Sequence, residues 1–186
     1  MQTKIVNKAY NFRIIPNKAQ EELINKNIGC VRFVFNHFLA QSKDNQYLSY
    51  SKFASRLPKL KKEFSWLREV DSISLQQSLK DLDKAFKRFF KGLGGFPKFK
   101  SKKSARLSYR TQKFIRPSGS TNIEIEDNYI KLPKLSWIKF SKSREVKGKI
   151  NNVTVSKSRS GRYHISVNVE EVIKTTLDDK ENQIGI

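Results

Sequence analysis

The sequence predicts an α+β fold: a small antiparallel β-barrel whose first strand comes from the N-terminus, interrupted by an inserted α-helical lobe. Three observations predict it. A strand-like alternation opens the chain, a block of helix-period segments follows, and two hairpin patterns come after that block. A strand made at the start therefore finds its partners only beyond the helices, which makes the helices an insertion.

Each element follows from local pattern. Tyr10, Phe12 and Ile14 alternate with Asn11 and Arg13, the period of a half-buried strand. Pro16 ends it and Asn17 caps a helix, along which Leu23, Ile24, Ile28, Val31, Phe35 and Phe38 recur every three or four residues. A polar loop over residues 43–46 leads to a shorter basic helix over 50–62. From Ser74 a third helix collects Leu75, Leu79, Leu82, Phe86 and Phe89 on one face, with Lys80, Lys84, Lys87, Arg88 and Lys91 largely elsewhere. Gly92, Gly94, Gly95 and Pro97 stop it, since glycine costs about 1 kcal/mol and proline about 3 kcal/mol inside a helix. Two hairpins follow: 122–126 with 129–132 about Asp127-Asn128, and 153–158 with 163–169 about Ser160-Gly161. Residues 182–186 open a further strand.

Charge narrows the function. Among 186 residues, 38 Lys and Arg against 17 Asp and Glu give a net charge of +21, and a compact chain so charged repels itself until a polyanion neutralises it. Nucleic acid is the expected polyanion, because phosphate neutralisation releases condensed counterions. No segment reaches the roughly 20 apolar residues of a bilayer span, and the opening MQTKIVNKAYNF lacks the apolar centre of a signal peptide. The expectation is a cytoplasmic protein with no membrane partner.

Other chemistry is excluded residue by residue. The lone Cys30, among Ile28, Val31 and Val34, reads as a small buried hydrophobe and can form neither a disulfide nor a CxxC zinc site within the chain. His37 and His164 have no second ligand at metal spacing and read as packing or nucleic-acid contacts. No Gly-Lys-Ser/Thr follows the glycines at 92–95, so nucleotide hydrolysis is unsupported. Asp178, Asp179 and Glu181 lie in a polar linker and make no paired-carboxylate site. No catalytic residue, metal site or cofactor is expected in this chain.

Binding chemistry concentrates in two stretches. In FKRFFKGLGGFPKFKSKK the rings of Phe86, Phe89, Phe90, Phe96 and Phe99 interleave with Lys87, Arg88, Lys91, Lys98, Lys100, Lys102 and Lys103. Aromatic faces stack on unpaired bases while cations follow the backbone, which suits single-stranded nucleic acid or structured RNA. The helical Phe86, Phe89 and Phe90 read first as core, whereas Phe96 and Phe99 stay open between core and base platform. The second stretch, Tyr109-Arg110-Thr111-Gln112-Lys113, combines a donor fork, hydroxyls and an amide, the groups that read base edges or phosphates.

An ordered set of segments adds a family resemblance. The N-terminal strand with IPNKAQ, then VRFVFNHFL, SWLREVDSISLQQSLKDLDKAFKRFF, GFPKFK, YRTQ, IKLPKLSWIKF and QIGI resembles, in order and over nearly the whole chain, the N-terminal half of the TnpB (OrfB) family of insertion-sequence RNA-guided nucleases. The resemblance implies a wedge-type, OB-like barrel from residues 1–15 and 119–175, an inserted helical recognition lobe at 16–118, and a linker with the first strand of a RuvC-like domain at 176–186. It also implies partners: a guide RNA that pairs with double-stranded target DNA while the protein reads a short adjacent motif. On matching positions Tyr50 and Gln76 would face that motif, and residues 110–114 would line the same duplex. Ser72 departs from the longer cationic or polar side chain of some relatives, so the motif read would differ. Lys84, Arg88 and Lys91 join the expected nucleic-acid contacts. The family's first catalytic Asp follows an Ile-Gly-Ile-like strand, and QIGI here is followed by nothing. Its Mg²⁺ ions and its Zn²⁺ belong to a RuvC domain and a zinc finger that this chain is expected to lack.

Three readings compete. The chain is a binding part without cleavage; or half of a nuclease completed by the missing C-terminal half; or a guide-independent helix-turn-helix DNA-binding regulator or RNA-binding protein. Charge alone admits the last, and the ordered motifs favour the first.

Overall fold

A computed structural model describes residues 2–42, 47–103 and 106–175. The loop expected at 43–46 and the strand and linker expected at 176–186, with QIGI and the acidic residues 178, 179 and 181, lie outside the described residues.

The chain opens with β1 (Gln2–Ile15) and continues into α1 (Lys18–Gln41). Asn17 caps α1 as expected: its side chain accepts from the Gln20 amide at 2.9 Å, and Gln20 Oε1 accepts from the Asn17 amide at 3.0 Å. The same Gln20 side chain donates to the carbonyls of Leu135 and Trp137, fixing the start of α1 to the later strands. After α2 (Tyr50–Glu63) and a short 3₁₀ turn comes α3 (Ser72–Phe90), capped by Asp71 through the Ile73 amide. The remaining strands are β2 (Ser108–Gln112), β3 (Glu124–Glu126), β4 (Tyr129–Leu132), β5 (Ser136–Phe140), β6 (Lys149–Lys157) and β7 (Tyr163–Thr175).

The class is α+β, and the seven strands form one antiparallel sheet in the order β2-β6-β7-β1-β5-β4-β3. β1 sits at its centre, paired with β7 from Gln2↔Thr175 to Ile14↔Tyr163 and with β5 at Ile14↔Phe140 and Ile15↔Lys139. The N-terminal strand therefore does find its partners beyond the helices. It is longer than its apolar alternation, because residues before Tyr10 are held by ladder hydrogen bonds to β7 and carry no buried face to mark them.

The expected barrel is not closed. β2 and β3 remain edges, and the chain between them makes a single isolated bridge, Ile115↔Thr121, around a turn in which Gly119 has φ +80°. The backbone there is turned, so it cannot present a ladder. A side chain substitutes: Asn122 Oδ1 accepts from the Phe114 amide and its Nδ2 donates to the Gln112 carbonyl, each at 2.9 Å. β2, at residues 108–112, pairs with β6 and so belongs to the sheet.

Two cores share α1. Ile24 and Ile28 pack against Phe12, Ile14, Val153, Ile165 and Val167 of the sheet, while Val34, Phe35 and Phe38 join Phe53, Leu75, Leu79 and Phe86 among the helices. At 1.5 Å per residue, its 24 residues are long enough to serve both. Cys30 is buried, and burial pushes its thiol up to about 11, leaving it protonated at neutral pH.

Candidate nucleic-acid interface

The candidate interface is organised by α3. Its buried face carries Leu75, Leu79, Leu82 and Phe86. Opposite runs a row at intervals of four, Ser72, Gln76, Lys80, Lys84 and Arg88, every member exposed. Such a row is one ridge of the helix surface. Tyr50, at the start of α2, lies beside it with Lys80 Nζ 5.4 Å from its ring centroid. The structure thus brings Tyr50, Gln76, Lys84 and Arg88 to one surface, and adds Lys80.

A buried carboxylate fixes that surface. Asp83 Oδ1 accepts from the Tyr47 hydroxyl and from the Tyr50 amide at 3.0 Å, and its Oδ2 takes Lys87 Nζ at 2.6 Å. Burial pushes the Asp83 carboxyl up, but these three donors outweigh it and hold the group below the usual carboxylate range. Burial, with Asp83 behind it, raises the Tyr47 hydroxyl to about 12. At the other end of the row the short Ser72 is met by Lys61, whose Nζ donates to Ser72 Oγ at 2.8 Å. An ammonium from α2 thus stands where a longer residue at 72 was expected.

β2 supplies the next row. Its period of two turns Arg110 and Gln112 toward α3: Arg110 Nη2 donates to Asp81 Oδ1 at 2.6 Å, and Gln112 Oε1 accepts from Gln77 Nε2 at 3.0 Å. The same alternation buries Tyr109 and Thr111, whose side chains face the interior and stand off the exposed row. Lys113 is half-buried, with its amide donating to the Asn151 carbonyl. Beside it a cavity of about 540 Å³ opens at the start of α3, lined by Ser72, Phe114, Arg116, Asn122 and Lys134.

Under this surface lies a polar seam. Asn27 Nδ2, Asp71 Oδ2, Tyr109 Oη and Thr111 Oγ1 are buried close enough to feel one another, yet none completes a hydrogen bond among the described residues. Burial pushes the Asp71 carboxyl up, against the pull of the Thr111 hydroxyl, the Ile73 and Ser74 amides and the charge on Lys61. A carboxyl raised in the folded state binds more protons folded than unfolded, so stability is present at low pH and falls as pH rises through the raised value. Asp71→Asn keeps the cap on Ile73 and turns an amide toward Thr111. It is expected to raise stability at pH 7 by about 1 kcal/mol, or about 2–4 °C in Tm, and to flatten the decline with pH. Thermal melts across pH check this, and a lowered Tm at pH 7 rejects it.

The far end of α3 is aromatic. Phe86 is core, stacked on Phe90 at 6.2 Å and edge-on to Phe96 at 5.5 Å, whereas Phe90 is 60% and Phe96 43% exposed. Phe99 is 47% exposed, and Lys91, Lys98, Lys102 and Lys103, neighbours of these rings in sequence, are exposed as well. Lys100 differs. Asn36 grips its backbone twice, at 2.8 and 2.9 Å, and its Nζ sits 3.8 Å from the Phe35 centroid. Burial lowers its ammonium, partly offset by Asp81. Asn36 escaped sequence reasoning, since nothing local ties it to a residue 64 positions away.

Comparison with known proteins agrees with the order of the motifs. The family model HTH_OrfB_IS605, described as a helix-turn-helix domain, matches residues 1–49. A protein of Escherichia coli K12 named as an RNA-guided DNA endonuclease, InsQ, is 36% identical over 185 residues, covering 96% of this chain and 44% of that protein. A Streptomyces pristinaespiralis protein, also named as an RNA-guided DNA endonuclease, is 30% identical over 177 residues, covering 90% of this chain and 42% of its own length. The virulence protein VsdF of Salmonella dublin is 35% identical over 105 residues, 48% of this chain and 88% of VsdF. The chain spans less than half the length of the first two relatives.

Proposed function

Because the chain belongs to the TnpB (OrfB) family, we propose that it is the guide-RNA and target-DNA binding portion of an RNA-guided DNA endonuclease, with cleavage assigned to the part of its relatives that it does not match. The observation that carries the reading is the uninterrupted polar and cationic row from Ser72 to Arg88, flanked by Arg110 and Gln112. Tyr50 and Gln76 read the adjacent motif, with Ser72 and Lys61 beside them. Lys80, Lys84 and Arg88 hold phosphates, which positions the duplex without reading it. The tip around Phe90, Phe96 and Phe99, with Lys91, Lys98, Lys102 and Lys103, takes unpaired RNA. Among the described residues no three His, Cys, Asp or Glu side chains gather as metal ligands.

Binding to a guide RNA from the transposon end is expected to exceed binding to unrelated RNA of equal length. With that guide bound, Gln76→Ala relaxes discrimination among adjacent motifs by about 1–3 kcal/mol, whereas Lys84→Ala weakens all sequences alike. Equal affinity for guide and unrelated RNA sinks the proposal. The helix-turn-helix match over residues 1–49 favours a second reading, a guide-independent DNA-binding regulator. It predicts sequence-specific duplex binding by the chain alone, which the guide-free arm of the same experiment measures.

A further inference from the structure

A second cavity, of about 310 Å³, lies where α1, α3 and β2 meet, and shares no lining residue with the one at the start of α3. Its size falls at the lower end of the roughly 300–1,000 Å³ typical of small-molecule sites, too small for a duplex. Arg32, Lys100, Arg106 and Arg110 line it against one acid, Asp81. Four cations around one carboxylate repel each other, and the repulsion is relieved by a further anion.

Two of these cations are held before any ligand arrives. Lys100 is fixed by Asn36 and by the Phe35 ring, and Arg110 by Asp81. Fixed side chains lose less entropy on binding. The Asp81 bond uses one Nη2 donor, and a guanidinium has five, so Arg110 keeps donors for a phosphate. Ile28, Val31 and Leu107 give the cavity an apolar wall, which a bare phosphate would not use and a base or sugar would.

We propose that this cavity takes in a single phosphate-bearing nucleotide unit, phosphate on the cations and base or sugar on the apolar wall. The inference rests on the nucleic-acid reading above but concerns a cavity beside the α3 row, with Arg110 at the junction of the two. The unit is either a 5′-phosphorylated strand end or one unstacked internal nucleotide.

The test titrates the full chain with uridine 5′-monophosphate, uridine and inorganic phosphate by calorimetry at low salt. The nucleotide is expected to bind at least about tenfold more tightly than either half alone, by the additivity of two distinct contact sets. Arg32→Ala should remove most of that advantage. Arg110→Lys, which keeps the charge and loses the fork, should do the same without risking the fold. Arg159→Ala, an equal change of charge at the exposed β6–β7 turn, should leave it intact. Nucleotide binding no tighter than phosphate binding, or an equal loss in Arg159→Ala, overturns the inference. A single-stranded RNA of about twenty residues is titrated in parallel. If it does not bind, the nucleic-acid reading itself fails; if it binds while the mononucleotide shows no preference, only the cavity assignment falls. Tighter binding of 5′-phosphorylated than of unphosphorylated RNA, lost in Arg110→Lys, assigns the strand end, and a gain-free result with mononucleotide binding intact assigns the internal nucleotide.

Discussion

Raising salt from about 50 to about 200 mM is expected to weaken binding of RNA or duplex DNA to this chain by roughly 10³–10⁵-fold, the loss that 6–10 phosphate contacts produce. The contacts are there to be made. Lys80, Lys84, Arg88, Lys91, Lys98, Lys102 and Lys103 are exposed along α3 and the segment after it, and Arg110 adds a cation from β2. Lys100 is left out of this count, because it lines the cavity between α1, α3 and β2 and is not part of the exposed row. Each phosphate neutralised contributes roughly 0.7 to 0.9 to the slope of log K against log salt, so removing Lys84 alone should make the slope shallower by about that amount. Affinity measured at several salt concentrations gives the slope directly. A slope below about 3 means that fewer than about four phosphates are met, and the α3 row is then not the binding surface.

Asn122→Ala is expected to cost of order 2–4 kcal/mol, because it strips partners from two main-chain groups at once. Asn122 is 6% exposed, and its amide is what joins the end of β2 to the chain entering β3. Without it the Phe114 N–H and the Gln112 carbonyl lose their partner in a site that water reaches poorly, and each such loss carries a penalty of about 1–3 kcal/mol. Against a total stability of about 5–15 kcal/mol that is a large fraction. Asn122→Asp separates the two halves of the contact: its carboxylate still accepts from Phe114, but sets oxygen against the Gln112 carbonyl. Urea denaturation of both variants, with amide exchange at Phe114, reads the effect. Unchanged stability in Asn122→Ala would show that the edges of the sheet are held by something other than this side chain. A fold that survives while Gln112 loses its place beside Gln77 should also bind duplex less well.

What the sequence by itself determined is what repeats locally. The start of α1 at Asn17, the buried face of α3 and the turns at Asp127 and Gly161 could all be read from period, caps and turn residues, whose physics acts within a few positions. The surplus of cations and the aromatic run in the FPKFK region were equally plain. Only the tertiary structure decided which member of each run meets solvent. It buried Tyr109 and Thr111, pinned Lys100 through Asn36, paired Arg110 with Asp81 and left the sheet open at an Asn122 seam. Those outcomes depend on partners 10 to 64 residues away. A repeat shows that a strand or helix has two sides; which one is covered is fixed by what packs against it.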